Sequence, residues 1–321
     1  MWLDSSRVLF NGGTLSAVSK ARYPESEEAA KWANPWTFVW DTASDNVERI
    51  SDWNTVCYSP TYIRQYKRPK YDSLRGKYRL GPLGKEMELN AEAMSKRIKK
   101  DEAQQRIYRN SFDCREYAPS EIVPPIPPDR KVVLLREGDG YLDLGSRDPV
   151  RRSIEMKSGH DIRWYHPTAE SGVDLGMPLA HNFGLHSPRY SSYSEEYVVV
   201  PAAPDAKTSK GSTELIYYVL HPSSLSAEKV TIPNFAPGGG FTQGRIERTK
   251  SGWVFSGSGN PWLRWAGIYH YDSKKVTRID LGSVTALSVA PDGCKVAYTI
   301  NKRNTEMGSP IEVNYVNLCV R

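Results

Sequence analysis

The chain has 321 residues, of which 39% are hydrophobic and 25% are charged. No apolar run approaches the roughly eighteen residues of a transmembrane helix, which sets aside a protein that spans a membrane. The formal net charge of +6 comes from basic residues that are spread along the chain without forming one stripe, so we expect no nucleic-acid partner.

The chain opens with MWLDSSRVLFNGG, which predicts two short strand segments joined by a polar turn. This stretch has no charged leader, no apolar core region and no small-residue cleavage site. No signal peptide is therefore visible in the chain.

Hairpins are predicted along most of the remaining sequence. In four segments, an apolar or aromatic run leads into a polar turn opened by Asp or His-Pro, and then into a run that contains Val. These outer hairpins are FVWDTASDNVERI (38–50), YLDLGSRDPVRRSI (141–154), YYVLHPSSLSAEKVTI (217–232) and IYHYDSKKVTRI (268–279). Inner hairpins alternate with them, at the chain opening and at 189–200, 245–257 and 283–300.

The hairpins recur in about six units of roughly 40 to 65 residues, which is the period of propeller blades. The second strands of these units begin near Val8, Val132, Tyr197, Trp253 and Val296, and one further unit lies between Trp53 and Tyr78. The sequence therefore predicts an all-β fold, a single β-propeller domain over 1–321 with about six four-stranded blades. A seven-bladed ring is the alternative.

An insert interrupts the repeats at about 81–128. Within it, Met87, Ala91, Met94 and Ile98 follow helical spacing with charged residues between them, which predicts an amphipathic helix near 84–110. The Pro-rich sequence SEIVPPIPPDR that follows is typical of an extended connector.

Two stretches resemble the repeats of a known superfamily. APDGCKVAYTI followed by IEVNYVNL, and GIYHYDSKKVTRIDL, resemble the repeats of TolB-like and related six- or seven-bladed β-propellers. The resemblance covers most of the chain outside 11–36 and 81–120. It implies a fold and leaves the function open, because propellers host binding proteins, hydrolases, lyases and oxidoreductases alike.

The two terminal units are each one strand short of a full blade. The first begins at the last residue of its innermost strand, and the last ends after a third strand, IEVNYVNLCV. Because an unfinished blade leaves an exposed sheet edge, we expect either a strand upstream of Met1 or a strand donated by a partner to complete it.

The chain has four cysteines. If 295–301 pairs with 311–318, Cys294 faces Cys319 at a separation that a disulfide can bridge, which would indicate an oxidising compartment. The alternative is that both residues are small buried thiols. Cys57 and Cys114 cannot be paired from the sequence, and no CxxC spacing predicts a zinc or redox site.

Connections in a propeller alternate between the two sides of the ring, and function usually resides in the long ones. Strand order places the long segments on one side, at 11–36, 157–188, 201–214, 233–244, 256–266 and 302–310, and short turns on the other. Aromatic rings beside Arg and carboxylates stack on sugars and hold acidic groups. The candidate ligand-binding residues are Trp36, Trp164, Trp262, Arg264 and Trp265, with packing as the alternative for each Trp.

Segment 157–188 contains four of the chain's six histidines. The candidate catalytic acids and bases near neutral pH are His160, His166, His181 and His186, together with Asp161. Their spacing matches no compact metal motif, so we expect no cofactor, with a divalent metal as the alternative.

Two functions of different classes are compatible with these residues. The first is a non-catalytic binding module, periplasmic or extracellular, that recognises a protein or glycan through the side with long loops. The second is a carbohydrate-active enzyme, a glycoside hydrolase or polysaccharide lyase, that uses the His and carboxylate groups of 157–188. A scaffold of the WD-repeat type is disfavoured, because only Trp40-Asp41 matches that repeat.

Overall fold

The computed structural model describes most of the chain in separate ranges. These are 1–12, 36–51, 53–59, 62–67, 77–81, 85, 87–88, 126–135, 138–169, 171–179, 188–191, 193–199, 214–233, 235, 245–257, 266–302 and 311–320.

The described residues form six antiparallel sheets, and each sheet consists of strands that are consecutive in the chain. The first two sheets contain β1 (Arg7–Gly12), β2 (Trp36–Asp41) and β3 (Asn46–Ser51), and then β4 (Asn54–Ser59), β5 (Tyr62–Lys67), β6 (Lys77–Gly81) and β7 (Met87–Glu88). The third contains β8 (Arg130–Leu134), β9 (Tyr141–Ser146), β10 (Asp161–Tyr165) and β11 (Val173–Pro178), with helix α1 (Pro149–Lys157) between β9 and β10.

The remaining three sheets follow in the same order. They contain β12 (Arg189–Ser191), β13 (Glu196–Val199), β14 (Glu214–His221) and β15 (Ser226–Pro233); β16 (Ile246–Thr249), β17 (Gly252–Ser256), β18 (Ile268–Tyr271) and β19 (Val276–Asp280); and β20 (Ser283–Val289), β21 (Lys295–Asn301) and β22 (Ile311–Asn317).

The third to sixth sheets pack against each other in chain order through buried apolar faces. Trp164 of β10 packs with Leu220 of β14, and Tyr217 of β14 packs with Phe255 of β17. Val254 of β17 is buried in a third cluster that includes residues of the β20–β22 sheet. Strand alternation explains this arrangement, because adjacent residues such as Val254 and Phe255 face opposite neighbours.

The first and last sheets also meet. Trp2 packs in one buried cluster with Ala297 of β21, and its indole Nε1 donates to the Ser288 carbonyl at 2.9 Å. Consecutive sheets that stack face to face, with the last beside the first, are the arrangement of a β-propeller. This confirms the predicted all-β propeller fold.

Residues Met1–Leu3 form a short innermost piece of the first sheet. Trp2 bridges to Val8, and Leu9 donates its amide to the Met1 carbonyl at 2.7 Å. The first unit therefore includes more of its innermost strand than the sequence indicates. In the last sheet, β22 is the third and final strand among the described residues.

One predicted hairpin is wrong. Segment 141–154 forms β9 and then α1, because Asp148 caps the helix by accepting from the Val150 amide at 2.8 Å and Pro149 occupies its first turn. The Asp-Pro pair therefore begins a helix here and does not form a hairpin turn.

The predicted insert is corrected at one residue. Met87 lies in β7, where it pairs with Leu80 of β6, and not in a helix. The rest of the helix predicted near 84–110 lies outside the described residues, apart from Lys85 and Glu88.

The disulfide between Cys294 and Cys319 is present, with the two Cα atoms 5.2 Å apart. The register of β21 and β22 pairs Lys295 with Asn317, one residue from the register that we expected. Cys294 therefore lies beside Leu318, whose amide donates to the Cys294 carbonyl at 2.8 Å. Cys57 lies in β4, and Cys114 lies outside the described residues.

Two fully buried tyrosines differ in their hydrogen bonding. The Tyr197 hydroxyl donates to Asp139 Oδ2 at 2.5 Å, whereas the buried Tyr217 hydroxyl has no hydrogen-bond partner in the described part of the chain. Burial strongly raises the pKa of Tyr217, which therefore stays neutral.

We expect Tyr197→Phe and Tyr217→Phe to change stability in opposite directions. Loss of the Tyr197 hydroxyl leaves Asp139 without its donor and lowers the unfolding free energy by about 1.5–3 kcal/mol, the usual value for a hydrogen bond to a charged group. Loss of the Tyr217 hydroxyl removes an unsatisfied buried group and leaves stability equal or higher. Urea unfolding of the two variants beside the wild type measures both changes. Equal destabilisation by the two substitutions would contradict the difference in bonding.

Candidate functional site

The two ends of the sheets differ in their connections. At one end, which we call the turn side, strands are joined by turns of at most seven residues, as between β16 and β17 or β18 and β19. At the other end, the loop side, lie α1 and the long segments between β1 and β2, β7 and β8, β11 and β12, β13 and β14, β15 and β16, β17 and β18, and β21 and β22. The turn sides of the fifth and sixth sheets lie next to each other. The Lys250 amide, between β16 and β17, donates to the Gly293 carbonyl, between β20 and β21, at 2.8 Å.

Segment 157–188 does not lie wholly on the loop side, contrary to expectation, because it contains β10 and β11. His160 precedes β10 at the loop side, and His166 follows β10 at the turn side. Six residues of extended chain separate the two histidines by roughly 20 Å. They therefore belong to different surfaces. His181 and His186 lie outside the described residues.

His166 belongs to a small polar group on the turn side. Its Nδ1 lies 2.8 Å from the Thr168 hydroxyl, and its Nε2 lies 4.0 Å from Asp139 Oδ1. The other oxygen of Asp139 accepts from Tyr197, which stands in the neighbouring sheet. These bonds join the third and fourth sheets, so they account for the group as a structural link.

Trp164 is fully buried in the core between the third and fourth sheets. Its indole Nε1 donates to the Asp139 carbonyl at 2.6 Å. The ring therefore has no free face for a ligand, and packing accounts for this candidate. Asp161 begins β10 at the loop side, where it pairs with Pro178 and is half-buried.

Trp36 lies at the start of β2, on the loop side, and is half-buried. The Arg49 guanidinium carbon lies 4.7 Å from the centroid of the Trp36 ring, a cation–π contact. Trp262, Arg264 and Trp265 belong to the segment between β17 and β18, outside the described residues. The structure thus places Trp36 on the expected side.

Helix α1 adds an unusual surface to the loop side. Its apolar residues Val150 and Ile154 are 69% and 61% exposed, while Glu155 turns inward to an ion pair with Arg130. Residues at i and i+4 share one face of a helix, so the two apolar side chains form a single exposed patch. The side chain of Arg151 next to this patch is 71% exposed.

Charged residues at the first strands of two sheets meet a backbone amide from the first strand of a third sheet. Arg189 of β12 forms an ion pair with Glu247 of β16, with Nη1 and Oε1 3.1 Å apart. The second oxygen of Glu247 accepts from the Val289 amide of β20 at 3.2 Å. Arg245 stands two residues before Glu247 on the same strand edge, and its guanidinium has no hydrogen-bond partner in the described ranges.

Burial and neighbouring charges shift the pKa values of Glu247 and Arg245 in this cluster. Burial raises the pKa of Glu247, and the Arg189 guanidinium opposes that rise. Burial and the neighbouring Arg189 guanidinium lower the pKa of Arg245 to about 10. Desolvation and like charge act together on Arg245, so a bound anion would relieve the effect of the like charge.

Sequence reasoning missed this cluster. Arg189 and Glu247 are 58 residues apart in the chain, and no sequence motif joins them. The available signal was the alternation Arg245-Ile246-Glu247, which places two charges on the side of the strand opposite a buried residue.

Within the described ranges, no group of three or more His, Cys, Asp or Glu side chains is arranged to hold a metal ion. No helix in those ranges combines the length and the apolar character that crossing a bilayer requires.

No protein family matches the chain, and no curated protein matches it significantly. Among solved structures, it is similar to the β-propeller domain of the Trilobed protease from Pyrococcus furiosus, with 10% identity, coverage of 88% of this chain and 72% of that one, and a TM-score of 0.32. A protein from Lactobacillus plantarum gives 10% identity, coverage of 96% and 81%, and a TM-score of 0.29. A prolyl endopeptidase gives 10% identity, coverage of 88% of this chain and 39% of that one, and a TM-score of 0.30.

Likenesses this distant say nothing about what the chain binds or does. The sheets themselves define the class. Six consecutive antiparallel sheets, of which the third to sixth pack face to face in chain order and the last lies beside the first, make this a β-propeller protein.

Proposed function

We propose that the chain is a non-catalytic binding module that recognises a protein or glycan through its loop side. The observation that carries this proposal is the surface of α1, where Val150 and Ile154 are exposed while Arg152 and Glu155 are packed inward. A helix that turns its apolar residues outward leaves unfavourable surface in water, which a partner would cover.

Between the two ligand classes, this surface favours a protein. Arg147, Arg151 and Lys157 are exposed around the apolar patch, so a partner with apolar side chains and flanking carboxylates complements it. Trp262, Arg264 and Trp265, in the segment between β17 and β18, are further candidate contacts on the same side by strand order.

Two further features support an envelope or extracellular setting. The Cys294–Cys319 disulfide is the kind of bond that persists in oxidising compartments. The resemblance of the repeats to TolB-like propellers favours the same setting by analogy alone. The enzyme hypothesis has less support, because His160 and His166 lie at opposite ends of β10.

We expect changes on the loop side to weaken partner binding and changes in the β18–β19 turn to leave it intact. Alanine at Trp262, Arg264 or Trp265 should cost roughly 1–3 kcal/mol, by analogy with the loss of an aromatic stacking contact. Val150→Ser with Ile154→Ser removes the apolar patch and should weaken binding similarly. The matched control is Lys274→Ala with Lys275→Ala, in an exposed turn on the opposite side.

The experiment first identifies the partner by cross-linking and mass spectrometry in native envelope or secreted fractions, with a glycan array in parallel. Biolayer interferometry then compares the variants against the identified ligand. If binding is lost in the turn variant and kept in the loop-side variants, the partner binds the turn side and the proposal is wrong. If the ligand is a glycan and the Val150→Ser, Ile154→Ser variant binds it as the wild type does, the partner is a sugar and not a protein.

A further inference from the structure

The backbone around Arg245 fixes the direction of its side chain. Its amide donates to the Ser256 hydroxyl at 2.8 Å, and the Ser256 amide donates to the Arg245 carbonyl at 2.7 Å. Arg245 therefore continues the antiparallel pairing of β16 with β17. Residues two apart in a strand share a face, so Arg245 and Glu247 point to the central side while Ile246 between them is buried in the core.

The one carboxylate of the cluster is already committed. Oε1 of Glu247 pairs with Arg189 at 3.1 Å, and Oε2 accepts from the Val289 amide at 3.2 Å. Two guanidinium groups thus share one carboxylate, and Arg245 has no hydrogen-bond partner within the described ranges. An unpaired cation in a partly desolvated place is unfavourable unless an anion reaches it.

We infer that Arg245 and Arg189 form an oxyanion-binding site on the central side of the propeller, which takes a carboxylate or phosphate group of a ligand. A guanidinium presents planar paired donors that match the two oxygens of either group. Burial and the Arg189 guanidinium lower the pKa of Arg245 although Glu247 opposes them, which agrees with a cation that Glu247 compensates only in part. Glu247 orients Arg189 and limits the positive charge when the site is empty.

This inference does not depend on the proposed function. It rests on β12 and β16 and not on α1 or the segment between β17 and β18, so a partner can bind the loop side whether or not an anion binds here. The two sets of variants share no residue.

The test uses inorganic phosphate and acetate as probes at constant ionic strength, with sodium chloride replaced step by step. Isothermal titration calorimetry and thermal unfolding follow binding, because a ligand that binds only the folded state raises the unfolding temperature. We expect both probes to stabilise the wild type in the millimolar range. A stronger response to one probe tells whether the natural group is a phosphate or a carboxylate.

Three variants make the test specific. Arg245→Gln should weaken binding roughly ten- to hundredfold, the factor for losing a hydrogen bond to a charged group, and should leave the empty protein at least as stable. Glu247→Gln should strengthen binding, because it removes the competing carboxylate. Lys250→Gln, in the exposed turn between β16 and β17, removes one positive charge elsewhere and should have no effect.

Two results would overturn the inference. The first is a wild type that neither probe stabilises beyond sodium chloride at equal ionic strength. The second is an Arg245→Gln variant that responds to phosphate and acetate as the wild type does. Because unfolding curves of the empty variants are recorded in the same series, a folding defect would be visible separately from a binding defect.

Discussion

Trp164→Ala is expected to lower the unfolding free energy by about 3–5 kcal/mol, the usual cost of truncating a large buried aromatic residue. Trp164 is fully buried between the third and fourth sheets, so the substitution opens a cavity at a sheet interface. It also leaves the Asp139 carbonyl without the indole donor at 2.6 Å. Urea unfolding followed by far-ultraviolet circular dichroism measures the change.

Two variants separate these effects. Trp164→Phe keeps most of the apolar volume and loses the hydrogen bond, so it should cost about 1–3 kcal/mol. Trp36→Ala, at a half-buried position near the edge of β2, should cost clearly less than Trp164→Ala. If Trp164→Ala unfolds within about 1 kcal/mol of the wild type, the residue is not the core element that its burial indicates. A ligand-binding role would then regain support.

The hairpins could be predicted because their signals are local. In the turn between β18 and β19, Asp272 Oδ1 accepts from the amides of Lys274 and Lys275 at 3.0 and 2.9 Å, and Asp292 accepts from Cys294 in the next inner turn. An Asp that bonds the backbone two or three residues ahead is a turn signal in sequence alone. The hairpin predicted at 141–154 is wrong because the same kind of local signal is ambiguous there. Asp148 followed by Pro149 is also a helix start.

The site was harder to predict because it depends on contacts between sheets. His160, Asp161 and His166 looked like one cluster when counted along the chain, yet a five-residue strand separates them into two surfaces. Arg189 and Glu247 looked unrelated, yet they meet because first strands of neighbouring blades adjoin at the centre. Spacing in sequence locates the strands, but only the packing of sheets shows which strand ends share a surface.

The disulfide is expected to stabilise the last sheet against the loss of its third strand. It closes a loop of 25 residues that contains the connection between β21 and β22. Loop-closure entropy for that length predicts a contribution of about 3 kcal/mol to the unfolding free energy. We expect Cys294→Ser with Cys319→Ser to lose about this amount, as measured by urea unfolding without reductant. The double variant is preferred, because a single substitution leaves an unpaired thiol near the surface.

Reductant supplies the control for this prediction. Dithiothreitol should lower the stability of the wild type to that of the double variant, and any further effect that persists in the double variant must come from Cys57 or Cys114. Mass spectrometry of non-reduced peptides should recover the two halves as one linked species. Free thiols at both positions in protein from its native compartment would contradict the bond, and would also remove the main physical support for a periplasmic or extracellular location. Because β21 keeps Val296 and Ile300 fully buried, the sheet itself should still fold, so the loss should appear as reduced stability with an unchanged strand signal.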